Sequence, residues 1–178
     1  MTASKDKPVP GAPDVLSAEQ GESLSRLLRE PTCLVGVGNP LRRDDGVGPW
    51  IIGALRADLA GSAVRLVDAQ DVPENFVPSI ARDACRNVVF IDAVSGAGPP
   101  GSVHFGPLAE FGEIESFSTH KLALSFSGKY LEPAGKNVFL LGIVPADLAF
   151  GTGFSAPVER AAAAVRDFIR HAASATPD

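Results

Sequence analysis

The sequence predicts an α/β fold: a single three-layer α/β/α domain built on a twisted, mostly parallel five-stranded sheet. Three observations carry this. Short apolar runs alternate with segments of helical period, the pattern that builds a parallel sheet with helices on both faces. The clearest runs, from Thr32 to Val37, Asn87 to Ile91 and Asn137 to Ile143, are apolar almost throughout, as strands buried on both faces must be. The first ends in a glycine turn followed by two carboxylates and the second runs straight into Asp92, placing acidic groups where open α/β sheets keep their ligands. A chain of 178 residues is ample for one such domain, and no internal repeat suggests a second.

In chain order, residues 1–14 carry Pro8, Pro10 and Pro13 with little apolar content, and read as a disordered arm. Residues 15–31 form an N-terminal helical extension. Ser17 can cap it, Leu24, Leu27 and Leu28 make its apolar stripe, and Pro31 ends it. The domain proper is expected over 32–171, with a flexible tail over 172–178. After the first strand, Val47, Ile51, Leu55 and Leu59 recur every fourth residue, and Gly61 closes that helix. Val64 to Val67 is a short second strand ending at Asp68. Pro78 fits the first turn of the next helix, where its missing N–H costs nothing. Ser102 to Phe105 alternates polar and apolar, which suits an edge strand and allows it to run antiparallel. Ser118-Thr119-His120 opens a further helix in which Leu122 and Phe126 stand four apart. Val158, Ala162, Val165, Phe168 and Ile169 define the last helix.

Composition narrows the function. A net charge of −5 and a single local basic pair, Arg42-Arg43, argue against a nucleic-acid surface. No apolar run is long enough to span a bilayer, so no membrane association is expected. The first residues lack a signal-peptide core. Two cysteines make no disulfide framework, and Cys33 falls within the first strand as a small core residue, so a cytoplasmic setting is expected.

Three polar residues reach one edge of the sheet if right-handed crossovers bring strands one and three side by side. They are Asp45 after the first strand, Asp92 at the end of the third, and His120 opening a later helix. Two carboxylates and an imidazole suit nickel, zinc or a similar divalent ion. Each also has a plain structural use: helix cap, turn former, first-turn residue. Of the adjacent pair, Asp44 reads as the helix cap and Asp45 as the ligand. His104 and His171 read as structural. Gly36-Val37-Gly38 hints at a dinucleotide turn, but position 41 is Leu, so the fingerprint is incomplete and no organic cofactor is expected. A Walker A loop and a Gly-x-Ser-x-Gly elbow are both absent from the sequence.

The chain resembles the hydrogenase maturation endopeptidases that process the large subunit of nickel-iron hydrogenases. The likeness rests on Val35-Gly36-Val37-Gly38-Asn39-Pro40 with Asp44-Asp45-Gly46-Val47-Gly48, then Asp68 and Pro73-Glu74-Asn75. It continues through Phe90-Ile91-Asp92-Ala93, Ser118-Thr119-His120 and Leu140-Leu141-Gly142-Ile143-Val144-Pro145, in the family's order, over roughly Cys33 to Ile169. The resemblance implies a metal cluster at Asp45, Asp92 and His120, and a hydrogenase large-subunit precursor as partner. The metal would be nickel supplied by that precursor, and the reaction the removal of a short C-terminal peptide. Asp45 and Asp92 are then the catalytic candidates, with attack by a metal-polarised water or by water activated by a carboxylate base both open. Asn39, Asp68, Gln70 and Thr119 are the substrate-binding candidates.

The chain departs from that family after strand two, where Asp68-Ala69-Gln70-Asp71 replaces a glycine-containing loop. Losing glycine there removes positive-φ freedom. This motivates a second reading, a non-catalytic, metal-dependent binding protein for the precursor. A third comes from peptidyl-tRNA hydrolases, which resemble the opening Val-Gly-x-Gly-Asn-Pro turn. They need a His-Asn pair where Arg42-Arg43-Asp44-Asp45 stands here.

Overall fold

The computed structural model describes residues 16–111 and 120–174. The expected arm at 1–14, Thr119 and the last four residues lie outside the described residues. Helix α1 (Ala18–Leu28) begins with a capping box: Ser17 accepts from the Gln20 amide while the Gln20 side chain accepts from the Ser17 amide, each at 3.2 Å. Strand β1 (Thr32–Val37) leads through a 3-10 turn (Arg43–Gly46) to α2 (Val47–Leu55). There follow β2 (Val64–Gln70), α3 (Val77–Arg82), β3 (Asn87–Ala93), β4 (Val103–Pro107), α4 (Lys121–Leu131), β5 (Asn137–Ile143) and α5 (Ala156–Ser174). The sheet order is β2-β1-β3-β5-β4, parallel throughout except for the edge strand β4, which runs antiparallel to β5.

Alternation along the buried strands builds two cores. Leu34, Val89, Ile91, Leu141 and Ile143 face α1, α2 and α5, packing on Leu24, Ile51, Ile52, Leu55, Val165 and Phe168. Cys33, Val35, Val88, Phe90, Val138 and Leu140 face the other way, onto Val77, Ile80, Leu124 and Leu131. Period-two strands that are apolar on both sides leave no other solution than helices on both faces. Cys33 and Cys85 are both buried and free. They share a hydrogen bond that, with burial, pushes the Cys33 thiol up.

Two expectations need correction, and the side that α4 buries is added to them. The tail does not begin at 172: α5 runs on to Ser174, because Ala172 and Ala173 still pack against the first core. Strand β2 extends past Val67 to Gln70, held by pairing of Gly36 with Asp68 and of Val37 with Gln70. Leu122 and Phe126 are not the buried face of α4. That face is Leu124, Ser127, Gly128 and Leu131, and Leu122 is 84% exposed. Two apolar residues four apart define a stripe but not which way it points.

Candidate metal-binding site

The turn after β1 is shaped by close approach. Gly38 has φ +129, and a Cβ there would collide with the Asp45 carbonyl. A Cβ on Gly48 would strike the carbonyl oxygens of Val37 and Ile91, so only glycine lets the first turn of α2 sit directly on β1 and β3. The glycines that hinted at a phosphate cradle thus serve helix-on-strand packing. They hold Asp45 at the carboxyl edge of the sheet.

The two adjacent carboxylates have separate roles, though not the expected pair. Asp44 does not cap α2, whose N-terminus shows no side-chain cap. It is fully buried and anchors the loop after β5 instead. It accepts from the amides of Ala146 and Asp147 (2.9 Å each), the Ser155 amide (2.7 Å) and the Ser155 hydroxyl (2.8 Å). Backbone bonds from Asp44 to Asp147, from Arg43 to Gly151 and from Gly151 to Leu41 tie the two loops together further. No local signal in the sequence links Asp44 with residues more than a hundred positions away; the Val144-Pro145 segment that leads into those amides was the nearest clue.

Asp45 faces inward to the edge. Its Oδ2 accepts from the Asn39 amide (2.9 Å) and lies 3.7 Å from His120 Nε2. Asp92, at the end of β3, is fully buried, and its Oδ1 accepts from the Ala93 amide (2.8 Å). Asp45, Asp92 and His120 each offer a ligand atom, and these atoms all lie within 4.8 Å of one another. That span fits two carboxylates and an imidazole around one divalent cation.

Electrostatics follow from the convergence. Burial acts to raise the Asp45 carboxyl, but the His120 imidazole beside it, the Asn39 amide and the charge of Arg42 hold it below its ordinary value. Burial acts to lower His120, and the adjacent Asp45 carboxylate with the charges of Asp92 and Asp71 outweighs it, raising the imidazole above its ordinary value. Asp71 and Arg42 were not singled out from the sequence; both sit in the loops that frame the cluster.

Of the other candidates, Asn39 uses its side chain to accept from the Leu41 amide (2.9 Å), which fixes the turn that delivers its own N–H to Asp45. Asp68 has a buried Oδ1 without a hydrogen-bond partner among the described residues. Gln70 is exposed and has φ +49. The lost glycine therefore did not remove the left-handed conformation. A bulge after Asp68 imposes it on glutamine, and the Gln70 carbonyl accepts from the Gly38 amide (2.8 Å). His104 and His171 are engaged locally, donating to the carbonyls of Ala97 and Asp167 (2.7 Å each). Beside the cluster, a cavity of about 330 Å³ opens between α4 and the segment after β4, with Val94, Leu108, Phe111, Leu124 and Leu140 among its walls.

Comparison with known proteins identifies the family and the fold. The chain is 27% identical over 128 residues to the hydrogenase 3 maturation protease of Escherichia coli K12, covering 72% of this chain and 81% of that one. Its fold superposes on the [NiFe] hydrogenase maturation protease HycI from Thermococcus kodakarensis KOD1 with a TM-score of 0.72 at 23% identity, covering 86% of this chain and 99% of that one. The hydrogenase maturating endopeptidase HybD from E. coli superposes with a TM-score of 0.61 at 23% identity, over 80% and 86%. A family model described as HycI, hydrogenase maturation protease, matches residues 50–171, more than half of the chain, and includes Asp92 and His120. The chain belongs to the hydrogenase maturation protease family.

Proposed function

We propose that this protein is an endopeptidase that removes the C-terminal peptide from a nickel-loaded [NiFe] hydrogenase large-subunit precursor. The observation that carries this reading is the convergence of Asp45, Asp92 and His120 at the carboxyl edge of the sheet, in a chain of that family. Three protein ligands leave coordination positions open, so nickel arriving with the precursor can be shared between the two chains. Loaded precursor is then distinguished from empty precursor by coordination, independently of peptide sequence. The carboxylates of Asp45 and Asp92 supply the base: water adds to the scissile carbonyl, its proton passes to a carboxylate, and the leaving amine takes it up as the C–N bond breaks. Asp68, whose Oδ1 has no hydrogen-bond partner among the described residues, is the substrate's acceptor, with Asn39 and Gln70 as further substrate contacts and Thr119, outside the described residues, as the fourth candidate. The free thiols of Cys33 and Cys85 suit a reducing, cytoplasmic setting.

Incubating the protein with loaded and with nickel-free precursor, followed by intact mass measurement, tests the proposal. The expected result is loss of the C-terminal peptide from the loaded form alone. An uncut loaded precursor in the presence of correctly folded protein would overturn it.

A further inference from the structure

The basic pair Arg42-Arg43 divides in the folded chain. Arg43 is neutralised: its Nη1 lies 3.3 Å from the carboxylate of Asp147, on the loop that Asp44 anchors. Arg42 is held on several sides but meets no acid. Its Nε donates to the Leu148 carbonyl (3.2 Å), and its guanidinium lies over the Phe150 ring, 5.3 Å from the centroid. Its backbone is fixed as well, by a bridge to Gly151 and by donation to the Asn39 carbonyl (3.0 Å). Among the described residues, the two terminal nitrogens of Arg42 have neither an ion pair nor a hydrogen-bond partner.

That cation stands beside the cluster. The Asp45 amide donates to the Arg42 carbonyl (2.9 Å), so the two residues close one 3-10 turn, and the charge of Arg42 helps to hold the Asp45 carboxyl low. A half-buried guanidinium with two unused donors suits an oxygen anion, which its planar fork can meet with paired hydrogen bonds. Because the Leu148 carbonyl and the Phe150 ring already fix it, little side-chain freedom is lost on binding. We infer that Arg42 is a substrate-binding residue of the protease site, receiving an oxygen anion of the precursor peptide on its free guanidinium edge. Two sources supply such an anion: a carboxylate of the peptide, present as soon as it binds, and the oxyanion formed when water adds to the scissile carbonyl. The inference rests on the protease reading above, and it adds a cationic contact to a cluster of two acids and an imidazole.

Arg42→Gln removes the charge while keeping a polar side chain. It is measured in the full chain against nickel-loaded precursor, beside Arg43→Gln. A fall of about 10²–10³-fold in kcat at unchanged KM is expected if the anion is the oxyanion. A KM raised roughly tenfold to a hundredfold at unchanged kcat is expected if it is a carboxylate. Arg43→Gln should cut like wild type. Affinity for nickel alone should be equal or higher in Arg42→Gln, because a positive charge beside the ligands is gone. Wild-type kcat and KM in Arg42→Gln overturn the inference and leave the protease reading standing. An equal loss in Arg43→Gln overturns it too, by assigning the effect to the charge of the loop at large. A loss accompanied by weaker nickel binding also overturns it, by making Arg42 only a support for Asp45. If Arg42→Gln does not fold, Phe150→Leu takes its place: it removes the ring under the guanidinium, leaves the charge, and should shift the same constant by about two- to fivefold. Wild-type constants in that variant then overturn the inference. A wild type that cuts no loaded precursor overturns the protease reading, and this inference with it.

Discussion

The two ends of the sheet bury polar groups in opposite ways. At the amino end donors meet acceptors. The Thr32 hydroxyl donates to the Leu27 carbonyl (2.6 Å), the Asn87 amide to Glu30 (3.1 Å), and the Asn137 amide to the Asn87 side-chain oxygen (3.0 Å). Lys136 Nζ closes the network by donating to the carbonyls of Asp83 and Cys85 (2.7 Å each). At the carboxyl end two carboxylates converge on one point with an imidazole. Asp44, one residue from that point, behaves like the amino end, with both oxygens taken up by donors. Burial of a polar group therefore does not identify a site. Matched burial is architecture; carboxylates that converge with an imidazole are the arrangement on which the proposed cation site rests.

Removing a member of the cluster should have the largest effect and should spare the fold. Asp45→Ala, Asp92→Ala and His120→Ala are each expected to lower cleavage of the loaded precursor by about 10²–10⁴-fold. Calorimetry on nickel alone should show the affinity lost, while urea unfolding stays within roughly 1 kcal/mol of wild type. Undiminished cleavage by any one variant removes that residue from the cluster.

Asp44→Ala sharpens the comparison from the other side. It strands three loop amides and the Ser155 hydroxyl, and should cost about 3–5 kcal/mol in urea unfolding. At the amino end, Asn87→Ala breaks fewer bonds to less charged partners and should cost about 1–3 kcal/mol with nickel affinity unchanged. If Asp44→Ala left stability intact, the division between matched and convergent burial would fail at the residue where it is sharpest.

What the sequence revealed follows the same division. Strands β1 and β5 were readable to the residue, because a strand buried on both faces needs an unbroken apolar run and these runs end at Gly38 and just before Pro145. The cluster was readable because each member ends or begins an element, so topology alone brings the three together. The role of Asp44 was not, since its partners in the 146–155 loop are joined to it only by the folded chain. The facing of α4 was not readable either: Leu122 and Phe126 share one side of a helix whose burial is decided by Leu124 and Leu131. Gln70 kept the backbone expected of glycine, because a bulge set by sheet pairing outweighs the local preference.

That last conflict gives a smaller prediction. Gln70→Gly relieves a left-handed backbone and is expected to stabilise the protein by about 1 kcal/mol, read as a rise in melting temperature. Its effect on cleavage separates backbone from side chain. Faster or equal cleavage shows that the position serves through its conformation, whereas a raised KM with unchanged kcat assigns the glutamine side chain to substrate contact.

The smallest effect is on pH dependence, and it distinguishes the cluster from matched polar groups because metal reverses its sign. His120 is raised in the folded chain, so its contribution to the metal-free protein is complete below its ordinary value of 6.5 and disappears as pH rises through the higher folded value. Asp45 is lowered, so its contribution is present above its ordinary value of 3.8 and disappears as pH falls through the lower folded value. Metal-free stability from this pair should therefore be greatest between those two ordinary values and decline on the alkaline side as His120 loses its proton. Nickel needs the neutral imidazole, so its affinity should rise over the same alkaline interval. Melting curves at successive pH values, with and without nickel, should cross in this sense, and His120→Ala should abolish the crossing. Asp83 is the control: the Cys85 amide and Arg65 hold its carboxyl low, and its contribution should be lost only in acid and be indifferent to nickel. Parallel curves in wild type with and without nickel would mean that the three side chains, though close, do not act on one ion.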